Sequence, residues 1–513
     1  MAAAPVWSVD PRTGKQREQV AVEATAQEVD AVVRAAHAAR GALADRRLRA
    51  AFLRTAAARL DEAGKRLVEA ADAETALGTP RLTGELARTC YQLRAFADIV
   101  DEGAFLDVVI DHPDDTATPP VPDLRRHKVP LGVVAVYSAS NFPFAFSVPG
   151  GDTASALAAG CPVVVKAHPD HPALSEQVAG VLRAAAVEHG IPVGVLGLVH
   201  GFDAGVELIR HPRIAAAGFT GSVRGGRALF DAAAAREVPI PFHGELGSLN
   251  PVLVTEAAAV ERGEAIGAGL AGSMTLGTGQ FCVKPGLVLV PAGAAGDALV
   301  KSLADAVGGT GPGVLLDHRM RDNFVAGAAE RARLPEVDAP VAPGADGEHT
   351  VSAGFLTVPA GRLVRGGEHD LLLEECFGPV TVIARYRDDT EAGAVLARLP
   401  GNLTATVHLS AEEAAGRGRG AQLLAELTPL AGRVLVNGWP TGVAVAPAQH
   451  HGGPYPATTS TSTSVGGTAV ERWLRPVVYQ QTPEALLPPE LRDDNPLDLP
   501  RRFNGRLEPG SKQ

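Results

Sequence analysis

Cysteine is scarce in this chain. Its 513 residues hold four, Cys90, Cys161, Cys282 and Cys376, widely separated and with no C-x-x-C pair. That spacing excludes a disulfide framework and a cysteine-built zinc centre, so reduced thiols and no metal site are expected. Aromatic residues are also few, 4% of the chain, with alanine and valine filling the deficit. No apolar run approaches the roughly 18 residues of a membrane-spanning helix. The first residues, MAAAPVWSVDPRTGKQ, reach Asp10 and Arg12 before any apolar stretch of signal-peptide length. A cytoplasmic protein with no membrane partner is the expectation. Long clusters of lysine and arginine are missing too, and the net charge is −11, so no nucleic-acid surface is expected. What is present, 46% hydrophobic and 20% charged residues, is the balance of a soluble globular protein. Its length suits several structural units acting on a small molecule.

Two alanine-rich stretches between 26 and 100 return apolar residues every three or four positions and predict amphipathic helices. The segment DHPDDTATPPVPDLRRHK (111–128) is proline-rich and charged, an excursion from the body of the fold. After it, apolar runs alternate with helical text. LGVVAVYSA, CPVVVKAH, VGVLGLVH and IAAAGFTGS are separated by helices near 149–160, 173–189 and 203–210, with another near 222–235. Strands joined by crossovers of this length predict parallel βαβ units and a dinucleotide-binding domain. A second α/β series contains NPVLVT, GLVLVPAG, PVTVIARY, ATVHLS and GRVLVNG. The last thirty or so residues, rich in proline and charge, read as an extended tail.

Several short stretches carry possible chemistry. Asn141 in SNFPF follows a strand, where an amide can donate to a reacting oxygen, but it serves equally as a turn residue before proline. Lys166 ends VVVK, placed to meet ribose hydroxyls or phosphates, or simply a solvated charge. GFTGS, with Phe219, Gly221 and Ser222, is a glycine turn whose amides can face a pyrophosphate, although its spacing is not GxGxxG. Glu245 in HGELGS is a general base or an exposed charge. Cys282 in GTGQFCVKPG is a nucleophile or a small apolar residue in a turn.

Their order discriminates. NFP, VVVK, FTGS, ELG, GQxC and E-x-FGP follow one another as they do in the aldehyde dehydrogenase superfamily, which this sequence resembles from about residue 6 to about residue 480. The wording SNFPFAFSVPGGDTASALAAGCPVVVKAH, PIPFHGELGS and HGGPYPATT is similar to one branch of it. That branch contains 2,5-dioxovalerate (α-ketoglutarate semialdehyde) and NADP-dependent fatty aldehyde dehydrogenases.

The resemblance implies an α/β fold with a Rossmann-like cofactor domain, an α/β catalytic domain and a small β oligomerisation arm. It draws the cofactor domain at 1–108 and 129–244, the catalytic domain at 245–436, and the arm at 109–128 and 465–485, with the tail at 486–513. It implies Cys282 as nucleophile, Glu245 as general base, and Asn141 with the Cys282 N–H as oxyanion donors. Lys166, Ser222, Gly221 and Phe219 would meet the cofactor's adenosine and pyrophosphate, and Glu375 and Phe377 its nicotinamide end. Pro169 stands where NAD-preferring members usually carry a ribose-chelating glutamate, and His168 is near, so NADP is favoured over NAD. Asp203 and Glu207 oppose that lean.

The implied reaction is oxidation of an aldehyde to a carboxylic acid, with 2,5-dioxovalerate to 2-oxoglutarate first and a broad-specificity aliphatic or aromatic aldehyde second. An acyl-coenzyme A-forming reductase is disfavoured by Glu245, and an inactive scaffold by the filled catalytic positions. For the substrate, Arg94 is a candidate for a carboxylate, and Phe142, Phe146 and Trp439 for an apolar tunnel. A homodimer or homotetramer is implied.

Overall fold

The computed structural model describes residues 4–510. Residues 1–3 and 511–513, which the domain limits above take in, lie outside the described residues. Of five sheets among the described residues, the three largest organise the chain.

The first sheet has five parallel strands in the order Leu196–Val199, Val163–Lys166, Val133–Tyr137, Ile214–Thr220 and Phe242–Glu245. Its central runs VVAVY and VVVK are buried at every position, because helices cover both faces. The crossovers include Gly151–Ala159, Pro172–Glu188, Phe202–Arg210 and Val223–Ala234. The order reverses beside Val133–Tyr137, the kind of switch point at which such sheets bind ligands. Register places Tyr137 opposite both Lys166 and Phe219, and Thr220 opposite Glu245. The NFP loop, the lysine, the glycine turn and the glutamate therefore leave the sheet along one edge.

Helices Ala26–Ala38, Arg46–Glu62, Gly64–Thr75 and Thr79–Glu102 precede this sheet. Thr25 and Glu28 close a capping box on the first, and Gly103 ends the last in a left-handed conformation, φ +78°.

The second sheet has seven strands in the order Asp338–Val341, Gly354–Pro359, Val380–Tyr386, Leu287–Pro291, Val252–Val254, Asn402–His408 and Ala431–Val436. All neighbours are parallel except the first pair. Asp338–Val341 and Gly354–Pro359 have no counterpart among the apolar runs singled out above.

The third sheet joins Leu474–Gln480, Leu124–Pro130 and Val108–Asp111 with two strands from the end of the chain, Arg501–Phe503 and Arg506–Glu508. Residues 486–510 are therefore not an extended tail. Arg501–Phe503 runs parallel to Val108–Ile110, and the hairpin turns on Asn504 (φ 48°) and Gly505 (φ 76°), the Asn-Gly chemistry of a tight turn. Leu491 and Leu499, fully buried, hold the segment to the helical core. Among the described residues no helix is long and apolar enough to cross a membrane.

Candidate active site

The Cys282 loop starts from a backbone few residues can adopt. Gly277, Thr278 and Gly279 all have positive φ, 55°, 57° and 67°, which swings the chain back under the preceding helix and presents Cys282. At Gly279 a Cβ would lie 2.4 Å from the Gly378 carbonyl, so the Cys282 loop and the ECFGP loop meet backbone to backbone. Asn250, at φ 52°, supports the loop from beneath. Its Nδ2 donates to the carbonyls of Cys282 (2.8 Å) and Lys284 (3.0 Å). Lys284, wholly buried, donates to the Val380 carbonyl at 2.5 Å.

Asn141 is delivered by the 141–147 loop, which the buried carboxylate of Glu85 ties down by accepting the N–H groups of Phe144 (2.8 Å) and Ala145 (2.9 Å). Asn141 Nδ2 donates to the Gln280 carbonyl at 3.1 Å, so the amide sits directly on the Cys282 loop. The Cys282 N–H donates to no protein acceptor among the described residues. The Asn141 amide and the Cys282 N–H are thus carried on two loops that touch at Gln280.

Glu245 comes from the end of the last strand of the first sheet, and a distant segment is folded onto it. Residues 451–465 return across the strand, pairing Glu245 with Thr458 and Leu246 N–H with the Ala457 carbonyl at 2.7 Å. This places Ser464 Oγ as a donor to Glu245 Oε2. It also brings His451 Nε2 to 3.6 Å from Cys282 Sγ and 2.9 Å from Glu245 Oε1. The ring nitrogen is aligned with the sulfur; toward Glu245 the contact is close but off the hydrogen-bonding direction, an electrostatic one. The three ligand-type atoms lie within 4.8 Å of one another.

Burial opposes ionisation of Glu245, but His451 and Ser464 outweigh it and hold the carboxyl below its ordinary range. The Cys282 thiol is driven the other way, well above 9, by burial and then by the carboxylates of Glu245 and Glu375. A thiol held that high needs a proton acceptor in contact, and His451 is the group in place. His451 was missed in the sequence although it opens the HGGPYPATT stretch; its partners are far away in the chain and no periodicity points to them.

The remaining candidates divide. Glu375 is brought to the site, its Oε2 facing Gly247 so closely that a Cβ there would lie 2.4 Å away. Burial pushes its carboxyl up to about 7, with the charge of Lys284 opposing and no hydrogen bond among the described residues. Phe377 is half-buried two residues on. Ser222 caps the helix Val223–Ala234, accepting from Gly225 N–H at 3.2 Å. Phe219 supports the turn from below, since a Cβ on Gly221 would lie 2.7 Å from its ring.

Lys166 lines a cavity of ≈ 150 Å³ with Glu23, Pro169, His200 and Phe202, its ammonium 4.8 Å from the centre of the Phe202 ring, and burial lowers its pKa to about 8. His168 does not join it. That ring stacks on His171 at 5.7 Å and pairs with Asp170, and burial holds it neutral, well below its ordinary pKa. Asp203 and Glu207 lie on the exposed face of Phe202–Arg210 and do not line the cavity.

Phe142 and Phe146 pack 5.5 Å apart beside the site, with Phe281 and His451 against them. Trp439 is not with them. It stacks on His408 at 4.7 Å and against Gly269 of the helix Glu256–Thr275, part of the second sheet's core. Arg94 points outward from Thr79–Glu102 to an ion pair with Asp61, its side chain 44% exposed, and does not reach the site. The arginines that act on Cys282 are Arg81, Arg88 and Arg433.

A family model described as "Aldehyde dehydrogenase family" matches residues 2–455. The chain belongs to the aldehyde dehydrogenase family. It is 46% identical over 469 residues to alpha-ketoglutaric semialdehyde dehydrogenase 2 of Azospirillum brasilense, covering 90% of this chain and 87% of that one. It is 42% identical over 494 residues to alpha-ketoglutaric semialdehyde dehydrogenase of Acinetobacter baylyi, covering 94% and 92%. Among solved structures, gamma-glutamyl-gamma-aminobutyraldehyde dehydrogenase of Burkholderia cenocepacia aligns with a TM-score of 0.78 at 22% identity over 93% of this chain and 92% of that one. The 1-pyrroline-5-carboxylate dehydrogenase from Thermus with bound NAD also gives 0.78 at 22% identity, over 92% and 89%. These two establish the shared fold. As an aldehyde dehydrogenase the protein is an aldehyde-oxidising oxidoreductase that uses NAD(P). The sheet edge fits such a cofactor: an open glycine turn at a helix N-terminus, a buried lysine beside a cavity, and an unpartnered carboxylate near the sulfur.

Proposed function

We propose that this aldehyde dehydrogenase oxidises 2,5-dioxovalerate to 2-oxoglutarate through a thioester on Cys282. The observation that carries the chemistry is the convergence of Cys282 Sγ, His451 Nε2 and the Glu245 carboxylate within 4.8 Å, beside Asn141. The two relatives named above support the substrate.

In this reading His451 Nε2 takes the thiol proton, and the Glu245 carboxylate stabilises the imidazolium so formed. The thiolate adds to the aldehyde carbon, and the oxygen takes up the electron pair between Asn141 Nδ2 and the Cys282 N–H. Lys166, Ser222 and Glu375 would hold NAD(P) here, and its chemistry would be to supply the acceptor for the hydride that this adduct expels. Glu245 then takes a proton from water and passes it to solvent, the water oxygen adds to the thioester carbon, and the C–S bond breaks as the His451 imidazolium returns its proton to sulfur, releasing the carboxylic acid. Lys166 and Ser222 hold the adenosine and pyrophosphate end, Gly221 and the Phe219 ring beneath it shape that turn, and Glu375 and Phe377 hold the nicotinamide end.

NADP is the favoured form, since Pro169 offers no carboxylate to a 2′-phosphate and Lys166 offers a cation, while Glu23 acts the other way. We assign residues 1–108 and 129–244 to the cofactor domain and 245–436 to the catalytic domain. The third sheet is the arm of a homodimer or homotetramer, in a cytoplasmic enzyme. The apolar group of Phe142, Phe146 and Phe281 favours a second reading, a broad-specificity aliphatic aldehyde dehydrogenase.

A panel of aldehydes with NAD or NADP, followed by absorbance of the reduced cofactor, separates the two. The first reading requires the highest kcat/KM for 2,5-dioxovalerate. Equal rates across chain lengths would favour the second, and no reduction with any aldehyde would overturn both.

A further inference from the structure

The helix Thr79–Glu102 turns a polar stripe inward. Arg81, Glu85, Arg88 and Gln92 recur at four, three and four residues and so share one face. All four hold buried side-chain atoms with no partner: Arg81 Nε and Nη1, Glu85 Oε2, Arg88 Nη1 and Nη2, and both polar atoms of Gln92. Buried polar groups are normally satisfied, and guanidinium nitrogens are among the costliest to leave bare, so a cluster of orphans beside a reactive sulfur calls for a ligand.

The arginines are not loose. Arg81 Nη2 donates to the Asn141 carbonyl at 2.6 Å, and its guanidinium stands 5.1 Å from the Phe142 ring centre and 4.6 Å from that of Phe281. Arg88 Nε donates to the Val443 carbonyl at 3.1 Å, which fixes the plane of its fork and leaves both terminal nitrogens free. Arg433 reaches in from the other side. Its terminal nitrogens hold the carbonyls of Gly442 (3.0 Å) and Pro440 (2.5 Å), which makes it a strut for the same loop that Arg88 grips. Burial lowers the pKa of all three. With Glu85 the only carboxylate on the stripe, the group carries excess positive charge.

We propose that Arg88, seconded by Arg81, binds the 2-oxo carboxylate end of the substrate, with the two free nitrogens of Arg88 taking the carboxylate as a fork. This rests on the substrate reading above. A five-carbon chain spans about 5 Å at bonds of about 1.5 Å, so an aldehyde at Cys282 keeps its carboxylate close to the sulfur, and Arg81 and Arg88 are near enough to interact with that sulfur electrostatically. A planar fork with two free donors matches a carboxylate as a lysine would not. Because Arg81 also holds the Asn141 carbonyl, charge recognition and the oxyanion donor share one side chain. Arg81 and Arg88 are specificity-determining residues in this arrangement, and Arg433 is a positioning residue.

The test compares 2,5-dioxovalerate with pentanal, an uncharged aldehyde of the same length, in the full enzyme and in Arg88→Met and Arg88→Lys. Removing one partner of a buried charge pair should lower the kcat/KM ratio of the two aldehydes by about 100-fold or more in Arg88→Met, with partial recovery in Arg88→Lys. A second readout needs no turnover: 2-oxoglutarate should raise the Tm of the wild type and not that of Arg88→Met. If the wild type prefers 2,5-dioxovalerate and both variants keep that preference, the arginine assignment falls while the substrate reading stands. If the wild type shows no preference and no Tm rise, the substrate reading falls and takes the assignment with it. Should Arg88→Met lose activity on both aldehydes, Arg88→Lys decides, and an unchanged ratio there overturns the proposal.

Discussion

Replacing His451 with glutamine tests the centre of the proposed chemistry. Glutamine keeps a polar group near Sγ but takes no proton from it. In the wild type the thiol, pushed well above 9 by burial and by Glu245 and Glu375, has an acceptor at 3.6 Å. Without that acceptor, the thiol must give up its proton against burial and two carboxylates with no base in contact, a loss on the order of 10² or more in rate. The rate of alkylation by iodoacetamide at neutral pH should therefore fall at least about 100-fold. It should then climb more steeply with pH than it does in the wild type. A general base commonly contributes about 10² to 10⁴ in rate, so kcat/KM should fall by about 3 to 5 kcal/mol in barrier terms. The other thiols serve as internal references, since burial pushes Cys90 up to about 12 and Cys161 up to about 11, and both should stay unlabelled. Mass spectrometry of the labelled peptides against pH reads the outcome. An unchanged alkylation rate at neutral pH in His451→Gln would refute the reasoning and move the proton to Glu245.

Further outcomes follow from the same geometry. Asn141→Ala should lower kcat by about 10² to 10³, the cost of one oxyanion donor, with little change in calorimetric Tm. Zinc should inhibit by bridging Cys282, His451 and Glu245, protect Cys282 from alkylation, and be reversed by a chelator; inhibition that survives in His451→Gln would count against this site. The preference for NADP over NAD should decline as pH rises through about 8, because Lys166 is cationic below that value and neutral above it; parallel KM profiles for the two cofactors would place the phosphate elsewhere. Truncation after Pro500 removes the hairpin from the edge of Val108–Asp111 and should lower Tm and promote association seen by light scattering.

Much of the fold was legible because parallel strands buried on both faces leave continuous apolar runs. VVAVY, VVVK and LVLVP could be read for that reason. The C-terminal hairpin was hidden by the prolines around it, although RRFNGRLE carries the Asn-Gly signal that makes its turn. At the site, Cys282, Asn141 and Glu245 stood out through the order of their motifs, whereas His451 depends on a chain reversal that no local pattern encodes. Arg94 was the wrong arginine for a reason the helix itself supplies. Leu82, Glu85, Leu86, Thr89 and Leu93 mark the buried face, Arg81 and Arg88 lie along it, and Arg94 turns out to solvent. Trp439 and His168 are aromatic and basic in the expected places, but the backbone aims the one at the second core and the other at His171.

The contact between Gly279 and Gly378 limits how this enzyme can be changed. The backbone that presents the sulfur and the backbone that presents Glu375 touch without a side chain between them, so neither loop can shift alone. Efforts to retune the proposed nicotinamide contacts of the ECFGP loop will carry the Cys282 thiol with them, and altered cofactor affinity should appear together with altered acylation rate. The proposed adenosine contacts around Lys166 and Glu23 offer a place for independent adjustment, since Cys282 does not line that cavity.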